Sequence, residues 1–152
     1  MRRALSLTAA PLIAGLALAM ASPAASADLL YPGGTVLSED AAGKPVWILQ
    51  AHCAGLYGAT SNVLTQRGDA EGAGAAKARG VDFFKDAIER LMKDRGMTRA
   101  AAFETALVAL DAGRDAGLKQ IRDGGFETRS RWNAARSLCL DVADVYQGIR
   151  YR

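Results

Sequence analysis

The sequence is poor in the residues that most often carry catalysis, metal binding or redox chemistry. It contains one histidine, two cysteines and four prolines, and aromatic residues make up only 7% of its 152 positions. One histidine among scattered carboxylates does not supply a closely spaced set of metal ligands, so we expect no metal and no resident cofactor. The phosphate-binding pattern G-x-x-x-x-G-K-[ST] and the hydrolase pattern G-x-S-x-G are both absent.

Long apolar runs are also lacking, except at the start of the chain. Two arginines are followed by an apolar run over 5–21 and by the small-residue segment Ala25-Ser26-Ala27. This order is typical of a secretory signal peptide, so we expect residues 1–27 to be removed. A single membrane anchor is the alternative, but Thr8, Pro11 and the cleavage site favour removal. We therefore predict a periplasmic or secreted protein with no transmembrane segment after signal cleavage.

An excess of charge of one sign is missing as well. Without the two leader arginines, the 19 basic residues become 17, against 16 acidic residues, which leaves a net charge of +1. Basic and acidic side chains are interspersed along the chain. Binding to nucleic acid requires a clustered positive surface, so no nucleic-acid partner is expected.

Two cysteines in an exported chain indicate one disulfide, Cys53–Cys139. If the first and last helices are antiparallel neighbours, these cysteines lie about 12 and 15 Å from the same end of the bundle, at nearly one level. A disulfide needs a closer approach than most packed helices make. The small residues around Cys53, including Gly55 and Gly58, are predicted to allow that approach.

The remaining pattern predicts an all-α protein. Residues 28–44 contain proline and three glycines without a sustained period, and we interpret them as an extended N-terminal arm. Residues 45–152 form the predicted helical bundle domain, because apolar residues recur there three and four positions apart. The expected topology is an antiparallel four-helix bundle (up-down-up-down) closed by one disulfide. Each helix is expected to have one apolar face, so none is expected to be fully buried.

Helix boundaries follow from capping residues and glycines. The predicted helices run from Pro45 to Gly68, up to Gly96, from Thr98 to Gly124-Gly125, and from Thr128 through Ile149. Residues 68–80, rich in glycine and alanine, are interpreted as a loop that runs into a weak helix start.

His52 is the first candidate for chemistry, because it precedes Cys53. A general base needs an orienting carboxylate and a nucleophile within reach, and the disulfide removes Cys53 as a nucleophile. We therefore interpret His52 as a histidine on the flank of a helix. Covalent haem attachment needs C-x-x-C-H, which is absent. Ligation of haem by His52 with Met92 or Met97 is an alternative that the residues leave open.

Aromatic side chains are the second group of candidates. Side chains with an apolar body and a polar tip often anchor a partner. Those chosen as possible ligand or partner contacts, together with His52, are Trp47, Tyr57 and Tyr146. Trp47 and Tyr146 are predicted to border a groove near the end shared by the first and last helices.

The segment Trp47–Tyr57, with its run Cys53-Ala54-Gly55-Leu56-Tyr57, resembles the first helix of small, uncharacterised exported helical proteins of alphaproteobacteria. The resemblance covers about a dozen residues. It implies a periplasmic helical domain closed by a disulfide, and it transfers no catalytic residue to this chain.

Together these observations predict a non-catalytic binding or accessory module of the cell envelope. Its partner is expected to be an envelope protein or a small ligand in a groove of the bundle. The alternative is a small helical-bundle enzyme that uses buried arginine or glutamate side chains on an acidic small molecule. Arg95 and Arg114 fall near the apolar stripes and are the candidates for that alternative.

Overall fold

The computed structural model of the chain describes residues 43–147, which form four α-helices and contain no strand. The helices are α1 (Val46–Gln66), α2 (Ala70–Arg95), α3 (Arg99–Gly124) and α4 (Arg131–Gln147). The predicted signal peptide (1–27), most of the predicted arm (28–44) and Ile149 lie outside the described residues. Among the described helices, none combines the length and apolar character that crossing a membrane requires.

Most helix boundaries lie close to the predicted positions. The Thr98 hydroxyl accepts a hydrogen bond from the backbone N–H of Ala101 at 3.3 Å, which confirms the predicted cap of α3. The predicted cap of α4 is wrong. The Ser130 hydroxyl, rather than Thr128, accepts from the backbone N–H of Asn133 at 3.2 Å, and α4 begins at Arg131.

The glycine- and alanine-rich segment 68–80 is helical from Ala70 onward, so the predicted loop is wrong. The Asp69 carboxylate caps the new helix by accepting from the backbone N–H of Gly72 at 2.9 Å. Small residues on one face then lie against α1: a Cβ added at Gly80 would be 3.1 Å from the Ala54 carbonyl oxygen. Close packing against α1 compensates for the low helix propensity of the glycines.

Helix α1 is the centre of the fold and contacts each of the other three helices. Twelve of its 21 residues are buried and the other nine are partly or fully exposed, so α1 is not fully buried, as expected. Most of its buried residues are apolar, and many of them, such as Ala51, Ala54 and Ala59, are also small. Apolar character places these residues in the interior, and small size lets the neighbouring helices pack close to α1.

The contacts between α1 and α4 show that the two helices run in opposite directions. Cys53 bonds to Cys139, and the Trp132 indole N–H donates to the Thr60 hydroxyl at 2.9 Å, so contacts with α4 run in opposite directions along the two helices. These contacts are compatible with the predicted up-down order. The buried apolar side chains form two clusters, one shared by α1, α2 and α4 and the other by α1, α2 and α3.

Helices α1 and α3 touch through their backbones. A Cβ added at Gly55 would overlap the carbonyl oxygen of Leu110, and one added at Gly113 would overlap the carbonyl oxygen of His52. The prediction that Gly55 and Gly58 make room for the disulfide is therefore wrong. Gly55 faces α3, whereas a Cβ at Gly58 would meet nothing within 4 Å.

Candidate functional site

A cleft of about 660 Å³ lies between α3 and α4, with α1 as its floor. Helix α3 forms one wall of the cleft mainly with glycine and alanine residues. Because glycine has no side chain and alanine only a methyl group, the space between the helices stays open. The apolar lining residues are Leu49, Cys53, Leu56, Gly113, Ala116, Gly117, Ala134, Ala135, Leu138 and Cys139.

Polar side chains surround this apolar lining. Besides His52, they are Lys44, Gln120, Arg131, Ser137 and Asp141. Two of these carry a positive charge and one a negative charge at neutral pH. The cleft therefore combines an apolar interior with a rim that is slightly cationic.

Gln120 has a polar atom that the described residues leave unsatisfied. Its Oε1 atom is buried and has no hydrogen-bond partner among residues 43–147. A buried carboxamide without a partner is unfavourable by about 1–3 kcal/mol, so a bound molecule that satisfies it gains that interaction. The side chain lines the cleft, three residues beyond Gly117, which contacts Leu56 of α1.

His52 is half-buried at the edge of the cleft, next to the backbone of α3. Burial lowers the pKa of its imidazole, and the positive charge of Lys44 lowers it further. The side chain is therefore neutral at pH 7. It offers one hydrogen-bond donor and one acceptor rather than a positive charge.

The lowered pKa of His52 makes stability depend on pH. The unfolded chain, in which the pKa is near its ordinary value of 6.5, binds the proton more readily than the folded protein. The contribution of His52 is therefore complete above pH 6.5 and is lost as the pH falls towards the folded pKa. We expect the free energy of unfolding to decline as the pH falls through 6.5 towards the lower, folded pKa, and His52→Gln to reduce that decline in urea titrations.

Proton NMR of the single imidazole provides the control for this prediction. Its midpoint should lie below 6.5 in the folded protein and should move upward in Lys44→Gln. A folded-state midpoint at or above 6.5 would contradict the proposed cause.

The disulfide Cys53–Cys139 is present and forms part of the cleft wall. The Cα atoms of the two residues are 5.5 Å apart, and no other cysteine exists in the chain. Both residues are buried, so the bond serves to attach α4 to α1. The predicted disulfide between the first and last helices is thus confirmed.

The structure does not bring the four proposed contact residues together. Only His52 lines the cleft. Trp47 is buried in the cluster shared by α1, α2 and α3, and Tyr57 stacks on Phe83 with ring centroids 5.8 Å apart. Tyr146 packs against the other cluster, with the Arg90 guanidinium 5.7 Å from its ring centroid. Trp47 packs towards α2 and α3, so the groove that it was predicted to border with Tyr146 stays a prediction.

Most residues that line the cleft were not predicted from the sequence as site residues. Its polar members His52, Gln120 and Asp141 lie on three different helices, α1, α3 and α4. Nothing in their spacing indicates that they share one site. The available signal was the small residues on the facing helices, such as Gly117 and Ala134, which leave room for the cleft.

Comparison of the chain with protein-family models, with curated proteins and with solved structures finds no match. Within residues 43–147, no group of three or more histidine, cysteine, aspartate or glutamate side chains is placed to hold a metal ion. The cleft is therefore interpreted from its own residues.

Proposed function

We propose that the protein is a non-catalytic helical binding module of the bacterial envelope, periplasmic or secreted, which holds a small ligand in the cleft between α3 and α4. The observation that carries this proposal is the cleft itself. Its volume of about 660 Å³ lies within the range of small-molecule sites, about 300–1,000 Å³. An apolar interior with a few polar groups at its rim is the usual composition of such sites.

The disulfide supports the location. A buried bond that uses both cysteines of the chain is typical of oxidising compartments, since structural disulfides are rare in the cytosol. The signal-like residues 1–27, which lie outside the described part of the chain, are in agreement with the same location. The short resemblance to exported alphaproteobacterial proteins points in the same direction.

No observation on the described residues favours the enzymatic alternative. It requires buried arginine or glutamate side chains, but every arginine and glutamate within 43–147 is at least partly exposed. Arg95 lies over the Trp47 ring at 5.4 Å, and Arg114 pairs with Asp111 at 3.1 Å on the surface. These side chains pack along the outside of the helices, as long basic side chains commonly do.

A bulky side chain at Ala134 tests the proposal. Ala134 is exposed on α4 and lines the cleft, so Ala134→Trp places an indole in the cleft without entering the core. The protein, purified from the periplasm of a host that expresses the full chain, is incubated with small molecules extracted from bacterial envelopes. We expect the original protein to retain extract components, measured by mass spectrometry, and Ala134→Trp to retain at least about tenfold less.

The matched control is Ala78→Trp, since Ala78 is exposed on α2 and does not line the cleft. This variant should retain the same molecules as the original protein. Retention of nothing by the original protein, or equal retention by both tryptophan variants, would overturn the proposal.

A further inference from the structure

We infer that the cleft binds a small amphipathic carboxylate, a linear acyl chain whose anionic group lies beside Arg131. This inference rests on the proposed function, because it names the class of ligand that the same cleft would hold. Its support comes from two features, the apolar lining and the unequal charge at the two ends, and the Gln120 carboxamide can turn to donate to the same anionic group.

The apolar lining is elongated along α4. Arg131 and Asp141 both line the cleft, and ten residues of helix separate them, about 15 Å. Between them, Ala135 and Leu138 of α4 line the cleft together with Leu49 and Leu56 of α1. A linear chain of methylene groups matches this narrow apolar strip, and each buried methylene contributes about 0.8 kcal/mol.

The two ends of the strip differ in charge. Asp141 follows Cys139, and Lys44 precedes α1, so the opposite order of contacts along α1 and α4 places both towards one end. Their charges offset each other there. Arg131 lies at the other end, where no acidic side chain lines the cleft. It is also the first residue of α4, where the helix dipole adds a partial positive charge.

Gln120 belongs to the Arg131 end. It lies beyond Gly117, which contacts Leu56 and Ala59, while Trp132 next to Arg131 bonds to Thr60. Rotation of the carboxamide about its last bond brings its NH₂ group to the buried position that its oxygen holds. The guanidinium and this NH₂ group then provide hydrogen-bond donors for one carboxylate. A cationic or uncharged head group would leave Arg131 without such a partner.

Titration calorimetry with two probes of equal chain length tests the inference. We expect the protein to bind dodecanoate saturably below its micelle concentration, and to bind dodecyltrimethylammonium at least about tenfold more weakly. Arg131→Glu should weaken dodecanoate binding by about tenfold or more and strengthen binding of the cation. Arg131 is exposed, so this change leaves the core intact.

The matched control is Arg136→Glu, since Arg136 is exposed on the same helix and does not line the cleft. It should leave dodecanoate binding within about twofold of the original value. Equal losses in both charge variants, equal binding of the two probes, or no saturable binding of dodecanoate would each overturn the inference.

The tryptophan variants separate this inference from the proposed function. If dodecanoate does not bind but Ala134→Trp still loses the extract components, the ligand class is wrong and the binding function stands. If neither dodecanoate nor any extract component is retained, both fail. Loss of dodecanoate binding in Ala134→Trp, with retention in Ala78→Trp, supports both.

Discussion

Gly55→Ala is expected to destabilise the protein by about 3 kcal/mol or more, because its methyl group has no space. A Cβ at this position would overlap the carbonyl oxygen of Leu110 and would lie 2.8 Å from the carbonyl carbon of Gly113. These atoms belong to the backbone of α3, so no side-chain rotation can relieve the overlap. The two helices would have to separate, and the contacts that depend on their approach would be lost.

Gly58→Ala is the matched control for that prediction. Gly58 lies in the same helix, is exposed, and has nothing within 4 Å of an added Cβ. Alanine should therefore stabilise the protein by up to about 1 kcal/mol through helix propensity alone. Urea unfolding followed by circular dichroism should show midpoint shifts of opposite sign for the two variants. A Gly55→Ala midpoint equal to that of the original protein would contradict the observed contact between α1 and α3.

Loss of the disulfide is expected to have the largest effect on stability. The bond joins residues 86 positions apart, and in the chain-entropy model closing a loop of this length contributes about 4–5 kcal/mol. Cys53→Ser combined with Cys139→Ser should therefore lower the melting temperature markedly. Helices α1, α2 and α3 keep their mutual contacts, so most of the helical signal should survive in the cold.

Thermal melts of the double variant, of the original protein and of the original protein after reduction form one set. The reduced protein should resemble the double variant, because both lack only the covalent link. A double variant with an unchanged melting curve would show that the bond adds nothing to stability. Detection of two thiols in the denatured, unreduced protein would contradict the bond itself.

Both perturbations also reach the cleft. Gly113 lines the cleft and contacts His52 of α1. The Cys139 disulfide holds α4 in place as the opposite wall of the cleft. A change in the spacing between α1 and α3, or release of α4, alters the width of the cleft directly. The features that stabilise the fold are thus the same ones that shape the proposed binding site.

Local signals in the sequence predicted several helix ends correctly. Gly96 and Gly125 both adopt positive φ values of 61° after α2 and α3, as glycines that end helices often do. Thr98 caps α3 because its short hydroxyl side chain reaches a nearby backbone N–H. Such features depend on a few adjacent residues, so they can be predicted without knowledge of the rest of the fold.

Predictions that required knowledge of neighbouring helices were less successful. Residues 68–80 contain four glycines, which have low helix propensity, yet the segment is helical from Ala70, where its small residues pack on α1. The glycines of α1 were assigned to the disulfide, although Gly55 faces α3. In both cases the sequence shows that the residues are small, but only the neighbouring helix shows why.

By itself the sequence determined that the described residues, 43–147, form four helices, that the two cysteines pair, and where several helices end. The helices follow from the spacing of apolar residues, the disulfide from the presence of just two cysteines, and the helix ends from local capping residues. Only the tertiary structure decided that α1 is central and that a cleft opens between α3 and α4. The reason is physical: the cleft depends on how far three helices stand apart, and side chains distant in sequence set that separation together.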